Sequence, residues 1–483
     1  MSEGGTFTEL PEGWAWAKLG EIADSALGKM LDRKKGGDHP VPYLRNVNVQ
    51  WGRINTQDVL IMSIPPEQQE FFRVRKGDLL VCEGGEVGRC AVFEAGDEKY
   101  LAFQKALHRV RPLGGVSSSY LRYYLEYLHV TGGFDKFTTG STIKHLPQQQ
   151  LKRLPVRVPP VQEQRRIVAV LEQQLSRLDV ANATLHASGR RIDRYLQTVL
   201  HRMTSDYGMV RLRDVLASGL ANGRSVPTRV GGFPVLRLTA LSDTYVDFAQ
   251  RKEGDWGEGE AAPFLVQQGD FLIARGNGSL PLVGRGALVA DIPTPVAFPD
   301  TMIRVRPDTS KVLSDYLRII WSSLAVRRQI ESRARTTAGI HKVNQKILGG
   351  IEFPLPDLPT QRALCAQWFS TEQQARQLTH TVSVSKRRSV TLHRSLLAEA
   401  FTGRLVAQDS TDEPASELLA RISAERVVAG VTTPRRRSPR QAPAQRKRIQ
   451  DTKPTLGAPP PLPTDAPTLS SATQPTLDLE IPS

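Results

Sequence analysis

The chain has 483 residues, of which 40% are hydrophobic and 23% are charged, so it is long enough for several ordinary globular domains. Its 64 Lys and Arg residues outnumber 49 Asp and Glu residues, and the formal net charge of +15 favours a polyanionic partner, although a basic surface without a dedicated ligand would have the same composition. Three cysteines without disulfide or zinc-site spacing, and no apolar run near the ~18 residues of a membrane span, predict a cytoplasmic protein with no membrane contact.

The chain contains two related halves, because short blocks recur in the same order about 195 residues apart. Residues 18–22 match residues 211–215 and are predicted to form a helix before a strand. A Gly-Asp turn that leads into an apolar strand follows in both halves, at residues 76–81 and 268–273. Other matched pairs of blocks are 41–45 with 233–237, 87–89 with 283–285, 109–112 with 304–307, and 120–122 with 316–318.

A long helix is predicted after each half. Each begins behind a Pro-rich segment, where proline is tolerated, and apolar residues in the first helix recur at seven-residue spacing, which is typical of a coiled coil. The second helix repeats that pattern more weakly. An apolar stripe needs a partner, so we predict that the two helices pair antiparallel, the alternative being one buried helix within an ordinary domain. The positions predicted to form this pair and to bind partners are Leu171, Leu178, Leu185, Ile192, Val199, Trp368, Val382 and Leu396.

We therefore predict an α+β protein with two tandem-duplicated globular domains, joined by two long antiparallel coiled-coil helices with pseudo-two-fold symmetry. Such symmetry would match the dyad of duplex DNA. After residue 404 the composition becomes rich in proline and Arg, so a mostly disordered tail is expected, which either adds phosphate affinity or is simply solvated. The predicted boundaries are 1–160 for domain 1, 161–204 for the first helix, 205–358 for domain 2, 359–404 for the second helix and 405–483 for the tail.

Four blocks of the first half carry a resemblance to a known family. These blocks are residues 77–80, 83–89, 140–146 and 159–167. Together with their order, their duplication and the two long helices, they resemble the specificity subunits of type I restriction-modification systems over about residues 10 to 404. The second half departs from the family pattern at residues 336–344, and Thr360 stands there where the first half has Glu163.

The resemblance implies a non-catalytic DNA-binding subunit in which each domain reads one half of a bipartite target. It also implies that the helices dock two modification (methyltransferase) subunits, through which restriction (endonuclease/translocase) subunits join. No cofactor is expected on this chain, since S-adenosylmethionine, ATP and Mg would be bound by the partner subunits.

Basic and amide side chains on loops are the candidates for DNA contact, because Lys, Arg, Ser and Thr suit phosphates whereas Arg, Asn, Gln and His can read base edges. For any one of them a solvated loop position is the competing interpretation. The candidates are Lys34, Lys35, Arg45, Asn46, Asn48, Ser141, Thr142, Lys144 and His145 in the first half, and Arg237, Arg275, Asn277, His341, Lys342 and Asn344 in the second.

Enzymatic alternatives lack their motifs. The sequence has neither the glycine-rich loop and Asn-Pro-Pro-Tyr-like tetrapeptide of a methyltransferase nor a phosphate loop ending in Gly-Lys-Ser/Thr. A nuclease pattern at Asp78 and residues 97–99 is permissive enough to arise by accident, so we predict no catalytic residue and no metal site. Two other functions stay open, namely a reader for a methyltransferase-only or related phage-defence complex and a coiled-coil scaffold that does not read DNA.

Overall fold

The computed structural model describes residues 9–31, 39–96, 98–140, 144–241, 244–337, 339–428 and 430. The protein is a mixed helix and sheet structure in which two globular lobes are connected by long helices. We call residues 9–160 the first lobe and residues 205–357 the second lobe. Within the described ranges, none of the helices is both long and apolar enough to cross a membrane.

The first lobe is built around an antiparallel sheet. Its strand order is β2-β10-β7-β8, and β7 is buried along its whole length in the core. The elements of this lobe are β1 (Ala15–Lys18), α1 (Leu19–Ile22), β2 (Ala23–Leu27), β3 (Pro40–Leu44), β4 (Val49–Gln50), β5 (Arg53–Ile54), β6 (Leu60–Ser63), α2 (Pro66–Phe72), β7 (Leu79–Cys82), β8 (Cys90–Val92), β9 (Ala102–Phe103), β10 (Leu107–Pro112), α3 (Ser118–Val130), α4 (Gln148–Arg153) and β11 (Pro155–Val158), after which the long helix α5 (Val161–Thr204) begins.

The second lobe has a sheet with the corresponding strand order, β13-β19-β16-β18. Its elements are β12 (Met209–Arg211), β13 (Ala221–Asn222), β14 (Thr228–Leu236), β15 (Arg251–Gly254), β16 (Phe271–Ala274), β17 (Gly276–Asn277), β18 (Gly286–Leu288), β19 (Met302–Val305), α6 (Ser314–Trp321), α7 (Leu324–Arg333), β20 (Arg335–Thr337), β21 (Ile340–Lys342), α8 (Gln345–Gly349) and β22 (Glu352–Pro354), followed by the long helix α9 (Leu358–Phe401) and by α10 (Ala415–Val428). In each lobe the first strand pairs with the last one, β1 with β11 and β12 with β22.

The Gly-Asp turn in front of the central strand makes the same contact in both lobes. Asp78 and Asp270 are each only 1% exposed, and each carboxylate accepts two hydrogen bonds from one arginine. The two bonds from Arg111 are 2.7 and 2.8 Å long, and those from Arg306 are 2.7 and 2.9 Å. Because a buried carboxylate is costly without a partner, this ion pair fixes the turn to the neighbouring strand of each sheet.

The long helices α5 and α9 pack against each other in opposite directions. Ile167, near the start of α5, shares a hydrophobic core with Leu397, near the end of α9. At the other end Leu200 shares a second core with Trp368, and between them Lys386 Nζ lies 3.2 Å from the Nδ1 atom of His186. Of the positions predicted for this pair, Leu171 and Trp368 are buried, and the others are half-buried: Leu178, Leu185, Ile192, Val199, Val382 and Leu396.

The chain remains folded beyond the second long helix. Helix α9 ends at Phe401, three residues before the predicted boundary, and Gly403 then adopts a φ of 74°. Leu418 and Ile422 of α10 are buried in the core of the first lobe, where the Ala415 N–H donates to the carbonyl oxygen of Gly13 over 2.8 Å. The predicted start of a disordered tail at residue 405 is therefore too early, since residues 405–428 have a packed structure. Residues 431–483 lie outside the described part of the chain.

Candidate nucleic-acid interface

In the first lobe, the loop after β7 meets the segment just before Leu146. Gly84 forms an antiparallel bridge with His145, and a Cβ atom at position 84 would lie 2.8 Å from the His145 Nδ1 atom, so glycine is required for this approach. The Asn46 side-chain amide donates to the Gly84 carbonyl oxygen over 2.9 Å. The fold thus brings together two candidates, Asn46 and His145, that are almost 100 residues apart in the sequence.

The second lobe has a small sheet at the corresponding position after β16. Strand β17 pairs with β21, which places Gly276 opposite Lys342 and Asn277 opposite His341, and β20 extends the sheet on the other side of β21. The pairing of Gly276 with Lys342 corresponds to the bridge of Gly84 with His145. Four sequence candidates therefore share one surface, namely Arg275, Asn277, His341 and Lys342.

Several first-lobe candidates have partners within the protein. Arg45 donates to Asp58 Oδ2 over 2.7 Å, and Lys144 donates to Asp135 Oδ1 over 2.8 Å, although the Lys144 side chain is 58% exposed. Asn48 is 1% exposed, and its amide donates to two backbone carbonyl oxygens while its oxygen accepts from the Arg45 N–H. Asn48 therefore holds a turn together and is removed from the candidate interface.

The second-lobe candidates outside the small sheet differ in their roles. Arg237 is exposed in the turn that follows β14. Asn344 is exposed too, but its side-chain oxygen accepts the Ile347 N–H over 2.9 Å and so caps helix α8. Within the small sheet, Arg275 donates to the Asp300 carbonyl oxygen over 3.3 Å, and His341 Nδ1 lies 3.0 Å from the hydroxyl of Thr336.

Sequence reasoning missed Arg335, which lies opposite Lys342 on β20 and adds a cation to this surface. No local pattern marks it, because its position depends on strand pairing across a turn. Four of the candidates lie outside the described residues: Lys34, Lys35, Ser141 and Thr142.

Part of the positive charge of each lobe is used inside the fold. Arg109 donates to the carbonyl oxygens of Phe71 and Arg73 and stacks over the ring of Phe103. Arg304 does the same in the second lobe, where it donates to a loop carbonyl and stacks over Phe298. Burial lowers the pKa of both guanidinium groups. These recurring arginines therefore support the sheets and do not belong to the candidate interface.

The chemistry of the remaining candidates is that of binding. Asp78 of the nuclease-like pattern lies inside the first lobe, where its carboxylate accepts a hydrogen bond from Arg111. Burial raises the pKa of the Cys82 and Cys365 thiols to about 11, so neither is a reactive thiolate at neutral pH. Among the described residues, no group of three or more His, Cys, Asp and Glu side chains is arranged to hold a metal ion.

Comparison with known proteins agrees with this description. Residues 11–186 match the family described as the type I restriction modification DNA specificity domain. The type I restriction enzyme StySPI specificity subunit of Salmonella potsdam is 24% identical over 455 residues, which are 87% of this chain and 97% of the relative. The EcoKI specificity subunit of Escherichia coli K12 is 24% identical over 460 residues, with the same shares.

A solved structure from a study of complex assembly and conformational transition of the type I restriction-modification system has the same fold. Its TM-score is 0.65 at 18% identity, and the likeness covers 82% of this chain and all of the other. The family resemblance predicted from the sequence is thus confirmed: residues 11–186 match the type I restriction modification DNA specificity domain, and the chain is similar to type I specificity subunits along most of its length.

Proposed function

We propose that this chain is the specificity subunit of a type I restriction-modification complex, and that each lobe reads one half of a bipartite DNA target. The observation that carries the proposal is the loop pair that follows the central strand in both lobes, Gly84 with His145 and Gly276 with Lys342. The same pairing of loops recurs in both lobes, but the side chains that it presents differ. Two domains that read different DNA sequences need the same backbone arrangement with different side chains at the contact positions.

The two lobes are interpreted as tandem copies. Their central sheets have corresponding strand orders, and the buried ion pairs Asp78–Arg111 and Asp270–Arg306 occupy matching positions. Helices α5 and α9 would form an antiparallel coiled coil between them. Because α5 has 44 residues, it is about 66 Å long, which exceeds one ~34 Å turn of DNA. The helix pair would therefore set the spacing between two half-sites.

The contact residues differ between the lobes. In the first lobe, Asn46 and His145 would read base edges while Lys144 and the undescribed candidates bind phosphates. In the second lobe, Asn277, His341 and Arg237 would provide base contacts. Arg275, Lys342 and Arg335 add positive charge to the same surface, and phosphate contacts of this kind position the protein without specifying sequence.

The partners follow from the same proposal. The helix pair would dock two modification subunits, restriction subunits would join through these, and the whole complex would act in the cytoplasm. Methyl transfer and ATP-driven chemistry would be carried out by the partner subunits, which would hold S-adenosylmethionine, ATP and Mg. This chain would contribute target recognition alone.

Methylome sequencing tests the proposal. We expect cells that contain this chain and its modification subunit to methylate a split motif that is absent without the chain. The double substitution Asn277→Ala and His341→Ala should relax one half of that motif and leave the other half and the spacing intact. Unchanged methylation in a complex that has been shown to assemble would contradict the proposal and favour a scaffold that does not read DNA.

A further inference from the structure

The middle of the helix pair is strongly basic. Residues 180–195 of α5 and 376–394 of α9 contain eight Lys and Arg residues and a single acid, Asp193. A surface helix pair would ordinarily mix both signs, because opposite charges at neighbouring turns stabilise helices and like charges repel. Arg376, at the edge of this segment, pairs with Glu372 over 3.4 Å, and the excess of cations in the rest of the segment is suited to a polyanion.

Many of these cations share one face of α9. Arg376, Arg387 and Arg394 are separated by 11 and 7 residues, and such spacings return to the same side of an α-helix. All three side chains are exposed. With a rise of 1.5 Å per residue, Arg376 and Arg394 are about 27 Å apart, which is less than one turn of DNA.

Helix α5 extends the same face. Lys386 Nζ lies 3.2 Å from His186 Nδ1 across the pair, on the edge next to Arg387. Arg190 is one helical turn beyond His186 and is also exposed, so it belongs to this side of the pair. We define the basic face as Arg190, Arg376, Lys386, Arg387 and Arg394.

The basic face runs along α9 from a contact with the second lobe to a contact with the first lobe. At one end Arg376 donates to the hydroxyl of Thr244 over 2.8 Å, and Thr244 lies in the loop between Arg237 and β15. At the other end His393 of α9 lies 3.1 Å from Glu126 of α3, a helix of the first lobe.

The first-lobe end of this connection leads to the turn that follows Asn46. Glu126 pairs with Arg122 over 3.1 Å, and the Arg122 guanidinium lies against Gly52 between β4 and β5. The loop after Arg237 therefore contacts the helix pair directly at Arg376, and the turn after Asn46 is linked to His393 of α9 through Arg122 and Glu126.

We propose that the basic face binds the backbone phosphates of the DNA that separates the two half-sites. This inference rests on the proposed function, since a spacer exists only if both lobes read DNA. A protein partner would be expected to use apolar anchors. The exposed apolar pair Tyr195 and Leu378 lies beside Arg191, whereas the exposed Val390 lies about one helical turn from both Arg387 and Arg394 on the basic face.

The test compares two charge-matched variants of the full chain in complex with its modification subunit. The first variant carries Arg190→Gln, Arg387→Gln and Arg394→Gln, and the control carries Arg177→Gln, Arg191→Gln and Arg202→Gln, three exposed arginines of α5 outside the basic face. Each phosphate contact contributes about 0.9 to the slope of log affinity against log salt concentration. We expect the slope to fall by about 2 to 3 in the first variant and by less than 1 in the control.

A hydroxyl-radical footprint of the wild-type complex provides a second measurement. We expect it to protect spacer phosphates on the side of the duplex that faces the helix pair, and the first variant to lose that protection while methylating the same split motif. Equal slopes in the two variants, or a wild-type footprint without spacer protection, would overturn the inference. So would failure of the first variant to assemble with the modification subunit, because the face would then bind protein. Absence of a split motif in the wild type would instead contradict the proposed function itself.

Discussion

Each long helix ends against a lobe, and we call this contact the joint. The joint of α9 with the first lobe is fully packed, whereas the joint of α5 with the second lobe contains a cavity. Phe401, the last residue of α9, is fully buried, and its ring lies 5.1 to 5.3 Å from the rings of Tyr120, Tyr124 and Tyr127 of the first lobe. Thr204, the last residue of α5, occupies the matching position in the second lobe. A cavity of about 740 Å³ lies there instead, lined in part by Thr204, Ser323 and Pro354.

The first lobe is also covered by α10, which follows its joint. Asp412, in the segment before α10, pairs with Arg166 of α5 over 2.6 Å, and Arg426 of α10 pairs with Asp24 over 2.9 Å. The two lobes thus share the strand order of their central sheets while differing in what packs against the last residue of the adjoining long helix. A common frame does not require a common joint.

The largest expected effect of this difference is on stability. Phe401→Ala should destabilise the first lobe by about 4 kcal/mol, because it leaves a cavity among three tyrosine rings. Thr204→Ala at the matching position should destabilise the second lobe by about 1 kcal/mol, because it removes the hydrogen bond that the Thr204 hydroxyl donates to the Leu200 carbonyl oxygen. Hydrogen exchange, followed separately on peptides of each lobe, measures both changes. Similar losses in the two variants would show that the joints are equivalent in energy.

The long helices and the Gly-Asp turns could be predicted because their signals are local. Seven-residue spacing in the first helix and a glycine before a buried aspartate need no knowledge of distant residues. The difference between the joints could not be predicted, because the register of the repeat pairs Thr204 with Phe401 but does not tell what surrounds either residue.

The candidate interface was predictable only in part for the same reason. Blocks containing Asn46 and His145 could be named from composition, but their meeting at Gly84 depends on pairing between distant segments. Asn48 is an amide residue in the same polar segment as Asn46, so composition predicts the same role for both. Its amide is nevertheless buried by Asn55 and Asp58, whose positions a list of polar residues cannot provide. The tail is predicted to begin at residue 405 because the composition shifts there, and composition does not show that Leu418 and Ile422 pack against the first lobe.

A second prediction concerns a feature that the lobes share. Arg111→Leu and Arg306→Leu should each destabilise their own lobe by about 3 kcal/mol, because each leaves a buried carboxylate without its charged partner. The two losses should agree within about 1 kcal/mol, unlike the losses at the joints. Lobe-resolved hydrogen exchange is again the measurement, and Arg211→Leu, which removes an exposed ion pair with Glu352, is the control with little effect. A large disparity between the lobes would mean that the corresponding sheets are not energetically equivalent.

The smallest predicted effect is a difference between the lobes in how their stability depends on pH. His108 on β10 is fully buried, opposite Val81 of β7, whereas the corresponding position of β19 holds Ile303. The neutral ring donates from Nε2 to the Leu146 carbonyl oxygen over 2.8 Å, and burial lowers the pKa of His108 from 6.5 to about 4.

In the unfolded chain the His108 imidazole becomes protonated near pH 6.5, whereas in the folded lobe it stays neutral down to about pH 4. Protonation therefore favours the unfolded chain, so the first lobe keeps its full stability above pH 6.5 and loses stability as the pH falls toward 4. We expect the first lobe to lose about 2 kcal/mol between pH 7 and pH 5 from this residue alone, and His108→Ile to abolish that loss even if it changes stability at pH 7. Lobe-resolved hydrogen exchange at the two pH values, corrected for intrinsic exchange rates, gives the answer. An equal acid sensitivity in wild type and His108→Ile would assign it to other groups of the lobe.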